Sequence, residues 1–231
     1  MTRALALHHD VNSTLGLLGP ILAARGIDVV EHTVCAQLDQ PHSAGPLPTL
    51  AAIDLLILMG SRWSVYEAGI EEWIHDELEL IRSADATGVP VLGLCFGGQA
   101  LAAALGGQVT CSPLPEVGWV EIASAEPAMD GGPWFAWHFD RIEPPPEADT
   151  TATNSAACQA FRLRRNLGLQ FHPELDTALL ELWMESDRDQ LVEAGIDPDR
   201  LLADTRRNEA AAGLRTARLV DWFLAEVAGL R

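Results

Sequence analysis

The first half of the chain alternates short apolar runs with stretches in which apolar and polar residues recur at helical spacing. The apolar runs at residues 4–8, 27–34, 55–59 and 89–94 predict buried strands. Residues 14–25 and 70–86 predict helices, and the second of these places apolar residues on one face and acidic residues on the other. A Pro- and Gly-rich loop is expected at residues 40–48. Strands that alternate with helices through short connections predict βαβ units, and therefore a mostly parallel sheet with helices on both faces.

After Gly107 the pattern changes. Short strand candidates at residues 108–111, 119–123 and 134–139 are separated by Pro, Gly and acidic residues, which predicts a small antiparallel extension. The sheet is expected to resume at residues 167–171, and the chain from Asp176 onward has helical spacing. Together these patterns predict an α/β fold with a helical C-terminus, formed as a single domain over residues 1–231.

The charge balance narrows the function classes. The chain carries a net charge of −18, so nucleic acid and anionic membrane surfaces are not expected as partners. All 15 basic residues are arginine, and the sequence contains no lysine. This excludes a phosphate-binding loop of the Walker type and Schiff-base chemistry on lysine, because both require that side chain.

The cysteines indicate the compartment. Cys35, Cys95, Cys111 and Cys158 show no paired spacing, which favours a reducing environment over a disulfide framework. No leader-like segment and no apolar window of about 18 residues stands out, so a cytoplasmic location is expected.

Cys95 lies where the apolar run at residues 89–94 meets an Ala- and Leu-rich stretch of helical composition. Gly93 and Gly97 flank it two residues away on each side, and a Cβ at either position would crowd a sharp strand-to-helix turn. The pattern G-x-C-x-G therefore predicts a nucleophile elbow with sulfur in place of oxygen. The first turn of a helix also favours an anion, and hence the thiolate form of this cysteine.

A nucleophilic cysteine needs a base and a group that orients the base. A histidine and a glutamate that could fill these two roles occur in the segment G-L-Q-F-H-P-E at residues 168–174. Pro173 favours extended backbone at His172, and on an extended segment residues two apart point to the same side. The spacing thus predicts that Glu174 orients His172, which exchanges a proton with Cys95 and the leaving group.

These two motifs, in this order and separation, resemble class I glutamine amidotransferases, closest to the amidotransferase domain of GMP synthase and its free-standing relatives. The resemblance extends to L-I-L-M-G at residues 56–60, L-P-E-V-G-W at 114–119 and W-H-F-D at 137–140. It implies the flavodoxin-like architecture of that family. It also implies a Cys95 thiolate that attacks the side-chain amide of glutamine, or another γ-glutamyl compound, to form a thioester that water hydrolyses.

The resemblance also implies further site residues. Backbone N–H groups at Gly60 and Phe96 would form the oxyanion hole. Side chains or backbone expected to contact the substrate belong to Gln99, Glu116, Gly118, Trp119 and His138. The loop after Gly60 departs from the family, because Ser61-Arg62 replaces the usual Gly-Pro. Arg62 is therefore a candidate for binding a substrate carboxylate.

Alternative functions remain open at this stage. Ammonia is either released or passed to a separate synthetase subunit, because the chain has no ATP-binding loop of its own. A free-standing hydrolase of γ-glutamyl peptides or conjugates is a second interpretation, and a non-catalytic regulatory or interaction protein that retains the pocket is a third. No cofactor is expected. No metal is expected either, because adjacent residues on a strand, such as His8 and His9, point to opposite faces.

Overall fold

A computed structural model describes residues 2–230. The strands are β1 (Thr2–His8), β2 (Ile27–Thr33), β3 (Cys35–Gln37), β4 (Gln40–Ser43), β5 (Leu55–Leu58), β6 (Val91–Leu94), β7 (Gln108–Val120), β8 (Ala123–Ser124), β9 (Trp134–Glu143), β10 (Asp149–Thr153), β11 (Cys158–Leu163) and β12 (Asn166–Leu169). The helices are α1 (Leu18–Ala24), α2 (Glu71–Thr87), α3 (Phe96–Ala104), α4 (Thr177–Glu193) and α5 (Pro198–Trp222), and α5 continues as a π-helical turn at Phe223–Val227.

The central sheet has the order β2-β1-β5-β6-β12-β11-β10-β8. Its first five strands are parallel, and β11, β10 and β8 continue it in antiparallel fashion. The long antiparallel pair β7–β9 joins the sheet through β11. The predicted α/β class, with its parallel centre, antiparallel extension and helical C-terminus, is therefore confirmed.

Both faces of the sheet are covered, which explains why its central strands are continuously apolar. In β1, Ala4 and Ala6 face a core formed with α1 and the C-terminal helix, whereas Leu5 and Leu7 face a core formed with α2 and α3. This alternation follows from the two-residue period of a strand. The apolar face of α2 accordingly lies against the sheet, as its pattern predicts.

The structure corrects several element boundaries. Residues 14–17 precede α1 rather than belonging to it, because Gly16 turns with φ +44° against the carbonyl of Glu174, where a Cβ would lie 2.1 Å from that oxygen. The segment expected to be a loop at residues 40–48 begins with β4, which pairs with β3. The strand expected at 108–111 continues as β7 to Val120, with an irregularity between Cys111 and Glu116, and the strand expected at 119–123 is divided between the end of β7 and the start of β8.

Strands β10 and β11 were not predicted, because their short, mixed sequences lack a regular alternation. The expectation of a single domain over residues 1–231 includes Met1 and Arg231, which lie outside the described residues, and it stays a prediction. No helix within residues 2–230 combines the length and apolarity needed to cross a bilayer.

Candidate active site

Cys95 lies between the end of β6 and the first residue of α3, with φ 49° and ψ −107°. L-residues rarely adopt such a backbone conformation, and strain of this kind is typical of functional turns. A Cβ on Gly93 would lie 2.4 Å from the carbonyl oxygen of Gly97, and a Cβ on Gly97 would lie 2.2 Å from that of Leu58. The flanking glycines are thus required by the close approach of the turn to itself and to β5, as the sequence pattern indicates.

His172 and Glu174 follow β12 and lie next to each other in the interior, on a turn closed by the Leu175 N–H and the His172 carbonyl rather than on the extended segment predicted. Their side chains are 4% and 1% exposed, and His172 Nδ1 is 2.8 Å from Glu174 Oε1. The backbone N–H of His172 donates to the carbonyl of Phe135 at 2.7 Å, and the Thr216 hydroxyl donates to the carbonyl of Pro173. These bonds fix the segment, so that the His172 ring is held by backbone and carboxylate together.

The protonation of His172 is set by two neighbours. Burial lowers the pKa of the imidazole, but the Glu174 carboxylate, together with the charge of Cys95 and a hydrogen bond to it, raises the pKa to about 10. Because Nδ1 donates to Glu174, Nε2 is the ring nitrogen that remains for Cys95. The arrangement therefore pairs a sulfur atom with a proton-carrying imidazole.

A cavity of about 310 Å³ opens beside these residues. Of the predicted site residues, those that line it are Gly60, Arg62, Cys95, Gln99, His138 and His172. Gln99 lies one turn after Cys95 on α3, and its backbone N–H donates to the Cys95 carbonyl at 2.9 Å. Sequence spacing alone therefore placed Gln99 on the correct face of the helix.

Gly60 lies at the junction of these groups. A Cβ on Gly60 would lie 2.9 Å from His172 Cε1 and 3.9 Å from Cys95 Cβ, so the Gly60 backbone borders both side chains directly. Among residues 2–230, no acceptor lies in hydrogen-bonding geometry to the backbone N–H of Gly60, Ser61 or Phe96. The backbone N–H groups on either side of Cys95 are thus unoccupied, as an oxyanion hole would require, although their role stays a prediction.

His138 lines the cavity, but its ring nitrogens are already engaged. Nδ1 is 2.9 Å from the carbonyl oxygen of Asp140, and Nε2 is 3.1 Å from Glu116 Oε2. Glu116 also accepts hydrogen bonds from Asn154 and Gln159. Burial raises the pKa of Glu116, but these partners, with His138 the largest, lower it below its usual range. Glu116 thus lies behind the pocket wall, where it holds His138, and substrate contact by either residue stays a prediction.

Gly118 and Trp119 are not among the residues that line the cavity next to Cys95. Both line a second cavity, formed between β7 and the connection from α4 to α5, and the Trp119 indole donates to Thr205 on α5. The structure therefore does not bring Gly118 and Trp119 to the Cys95 pocket.

Arg62 lies at the edge of the cavity and is 26% exposed. Its guanidinium donates to Asp39 at 3.0 Å and to Asp187 of α4 at 2.7 Å. The backbone of Asp187 departs from helical geometry, which marks a kink in α4 at this contact. Arg62 is thus held between two carboxylates, and its recognition of a substrate carboxylate stays a prediction.

Some residues at the site escaped the sequence analysis. Trp183, Asp187 and Gln190 of α4 line the cavity. The Trp183 and His172 rings pack edge to face, with 4.9 Å between their centroids. The helical spacing of α4 indicated burial but not which cavity it would border. His9 and Glu77, which form a buried pair beneath Gly60, were also missed, because 68 residues separate them. Among residues 2–230, no group of His, Cys, Asp and Glu is arranged to hold a metal ion.

Known protein families and individual curated proteins are similar in sequence to this chain. Residues 22–181 match the family model of class-I glutamine amidotransferases. The glutamine-hydrolysing GMP synthase of Aeropyrum pernix is 33% identical over 70% of this chain and 29% of its own length. That of Nitrosomonas eutropha is 40% identical over 40% of this chain and 21% of its own length. The chain therefore spans less than a third of the length of these curated relatives.

Solved structures resemble almost the whole chain. A glutamine amidotransferase of Thermotoga maritima is 25% identical with a TM-score of 0.84, over 96% of this chain and 98% of that one. A second, from Methylobacillus flagellatus, is 26% identical with a TM-score of 0.85, over 100% of this chain and 96% of that one. The likeness to these two structures thus includes the helical C-terminus beyond residue 181.

Proposed function

Because the chain belongs to the class-I glutamine amidotransferase family, we propose that it hydrolyses the side-chain amide of glutamine through a γ-glutamyl thioester on Cys95. One observation carries this proposal: a cysteine on a strained strand-to-helix turn borders the same cavity as His172, whose ring is paired with the buried carboxylate of Glu174. A nucleophile, its base and an orienting carboxylate are the parts that acyl transfer requires.

The first half of the reaction transfers the acyl group. The Cys95 sulfur attacks the amide carbon of glutamine, and a tetrahedral oxyanion forms that accepts hydrogen bonds from backbone N–H groups beside Gly60 and at Phe96. The C–N bond then breaks as the His172 imidazolium gives its proton to the departing nitrogen, so that ammonia leaves and a thioester remains. Glu174 accepts a hydrogen bond from Nδ1 of His172 throughout, which leaves Nε2 to give and later take up the proton.

The second half regenerates the enzyme. Neutral His172 takes a proton from a water molecule, which attacks the thioester carbon through the same oxyanion geometry. The C–S bond breaks, glutamate leaves, and the thiolate–imidazolium pair returns. Each turnover therefore yields one glutamate and one ammonia from one glutamine and one water.

The size of the cavity favours glutamine as the substrate over longer γ-glutamyl conjugates. Its volume of about 310 Å³ is near the lower end of the range of about 300–1,000 Å³ found for small-molecule sites. Trp183, Asp187 and Gln190 of α4 form part of its wall. Ammonia is then released, or passed to a separate synthetase by analogy with the longer GMP synthases that the chain resembles.

The decisive experiment is an assay of the purified protein with glutamine alone, in which glutamate and ammonia are both measured. Equal amounts of the two products would support the proposal. Hydrolysis of γ-glutamyl peptides in preference to glutamine would support the conjugate hydrolase instead. Absence of turnover with both substrates, with intact folding, would support a regulatory protein that retains the pocket.

Gly60→Ala should lower kcat strongly and leave KM nearly unchanged. The added methyl group would lie 2.9 Å from His172 Cε1, so either the ring or the Gly60 loop must shift. We expect a loss approaching the factor of about 10²–10³ seen when one oxyanion donor is removed. Gly213→Ala is a matched control, because a Cβ there would meet its nearest neighbour at 3.9 Å. A rise in KM with unchanged kcat would contradict this assignment of Gly60.

Arg62→Ala tests substrate recognition at the edge of the cavity. If Arg62 binds the α-carboxylate of glutamine, its loss should raise KM by about tenfold or more and leave kcat nearly intact, because a charge-assisted hydrogen bond is removed. Arg188→Ala is the control, since Arg188 is an exposed arginine whose acidic partner is 3.8 Å away. A fall in kcat at constant KM would instead assign Arg62 to support of the Gly60 loop.

A further inference from the structure

A second buried His–Glu pair lies beneath Gly60, and the mechanism above does not use it. The side chains of His9, directly after β1, and Glu77, on α2, are both 0% exposed. His9 Nε2 is 3.0 Å from one carboxylate oxygen of Glu77 and 3.1 Å from the other. Burying such a pair costs desolvation free energy, and its net contribution to the free energy of unfolding is small. The pair therefore has to be judged by its other contacts.

The other ring nitrogen of His9 faces the backbone of the candidate oxyanion hole. His9 Nδ1 is 3.1 Å from the carbonyl oxygen of Gly60. The Gly60 carbonyl only accepts hydrogen bonds, so His9 Nδ1 donates to it. With Glu77 ionised, Nε2 donates as well, and His9 is then an imidazolium whose counter-charge is the Glu77 carboxylate.

The surroundings of His9 agree with this protonation state. Burial lowers the pKa of His9, but the charge of Glu77, its hydrogen bonds and a further contribution from Asp10 raise the pKa above its usual value. Two aromatic rings also lie close: the centroid of the Phe96 ring is 4.5 Å from that of His9, edge to face, and the centroid of the Trp73 ring is 5.7 Å away. The cation is thus enclosed by one carboxylate, one carbonyl and two aromatic side chains.

The Gly60 carbonyl belongs to the same peptide unit as the Ser61 N–H. A donor to the carbonyl oxygen draws electron density through the planar amide, which strengthens the N–H as a donor on the opposite side. The effect is larger when the donor carries a charge and the site is dry. The imidazolium of His9 therefore acts on the N–H that follows Gly60, which is a candidate donor to the oxyanion.

His9 also contacts the residue that carries the second candidate donor, because its ring packs against the side chain of Phe96, directly after Cys95. One side chain thus contacts both elements that would hold the oxyanion, the loop after β5 and the start of α3. Ser61 takes the place of a family glycine in this loop. Contacts from outside the loop, such as those of His9, would therefore help to hold its backbone in position.

We propose that the His9–Glu77 pair positions and polarises the Gly60–Ser61 peptide, so that the Ser61 N–H is a strong donor to the oxyanion. His9 and Glu77 are positioning residues, since neither touches the substrate. The proposal deepens the glutaminase function proposed above and rests on it. It explains why a charged pair is retained in the interior between β1 and α2.

Glu77→Gln is the sharpest test. In this variant a neutral His9 can still donate to Gly60 and accept from the Gln amide, so the hydrogen bonds survive and only the charge is lost. We expect kcat for glutamine to fall by about tenfold or more, with KM within about twofold of wild type, because the effect is confined to the transition state. Alkylation of Cys95 by iodoacetamide, which develops no oxyanion, should proceed at the wild-type rate.

The chain offers a matched control in an exposed His–Glu pair. His42 Nδ1 is 3.3 Å from Glu72 Oε2, with side chains 73% and 58% exposed, so Glu72→Gln makes the same chemical change at the surface. This variant should keep wild-type kcat, KM and alkylation rate. His9→Asn provides a second variant, because its amide can reach the Gly60 carbonyl without carrying a charge, and it should lower kcat in the same way.

The outcomes separate this proposal from the general function. Unchanged kcat in folded Glu77→Gln or His9→Asn overturns it, and so does a parallel fall in the alkylation rate, which would show damage to Cys95 itself. If wild type does not hydrolyse glutamine, the proposed function fails, but the proton chemical shift of the Ser61 amide still tests the polarisation. That resonance should move upfield in Glu77→Gln, and an unmoved resonance overturns the inference.

Discussion

Cys95→Ala should reduce glutamine hydrolysis by about 10⁴-fold or more in kcat, because the covalent path has no other nucleophile in the cavity. Of the four cysteines, only Cys95 lines it. Burial raises the pKa of both Cys35 and Cys158 to about 11, so that both remain protonated and unreactive near neutral pH. The variant should still fold and bind glutamine, which calorimetric titration can measure.

A γ-glutamyl electrophile supplies the complementary test. A diazoketone analogue of glutamine should label wild-type protein once, and peptide mass spectrometry should locate the label on Cys95. Cys111→Ala is the matched control, because Cys111 is exposed and lies outside the cavity. Labelling at Cys111, Cys35 or Cys158 in place of Cys95, or full activity in Cys95→Ala, would refute the assignment.

His172→Ala should abolish thioester formation, whereas Glu174→Gln should leave a slower, measurable reaction. Removing His172 takes away both the base that holds the thiolate and the acid that protonates ammonia, but Glu174 acts only through His172. We expect Glu174→Gln to retain about 10²-fold more activity than His172→Ala, as the loss of an orienting carboxylate is smaller than that of the base. Acid quenching with labelled glutamine measures the thioester directly.

The pH profile distinguishes orientation from a purely structural role of Glu174. His172 must carry a proton to protonate the leaving group, and its pKa of about 10 predicts that kcat/KM declines only as the pH rises through that value. Glu174 is the largest of the charges that raise this pKa, so the decline in Glu174→Gln should move to lower pH. An unchanged profile with unchanged kcat would eliminate the relay from Cys95 through His172 to Glu174.

Raised folded-state pKa values also link His172 to stability. Its contribution to the free energy of unfolding is fully present below the unfolded value of about 6.5 and is lost as the pH rises through about 10. The same stretch of pH therefore weakens both the fold around the pocket and the proton donor within it.

Features that depend on short-range geometry could be predicted from the sequence. The parallel strands follow from continuous apolar runs, since both faces of the sheet are covered. The turn at Cys95 follows from Gly93 and Gly97, whose missing side chains leave space for the backbone. Gln99 follows Cys95 by one helical turn, as its spacing predicts. His172 and Glu174 do meet, but across a turn in which the Leu175 N–H donates to the His172 carbonyl, rather than on the extended chain that the spacing of two residues predicts. The predicted family and fold class are accordingly confirmed.

Contacts between distant segments depended on the tertiary structure. Nothing local to His9 indicates that Glu77 will lie beside it, or that Arg62 will meet Asp187 from 125 residues away. The start of α1 was misplaced for the same reason, because Gly16 is shaped by the carbonyl of Glu174. Periodicity and local sterics act over one or two turns of chain, whereas a pocket wall is assembled from whichever elements the topology brings together. The positions of Cys95 and His172 could thus be inferred from sequence, but the residues around them were decided by packing.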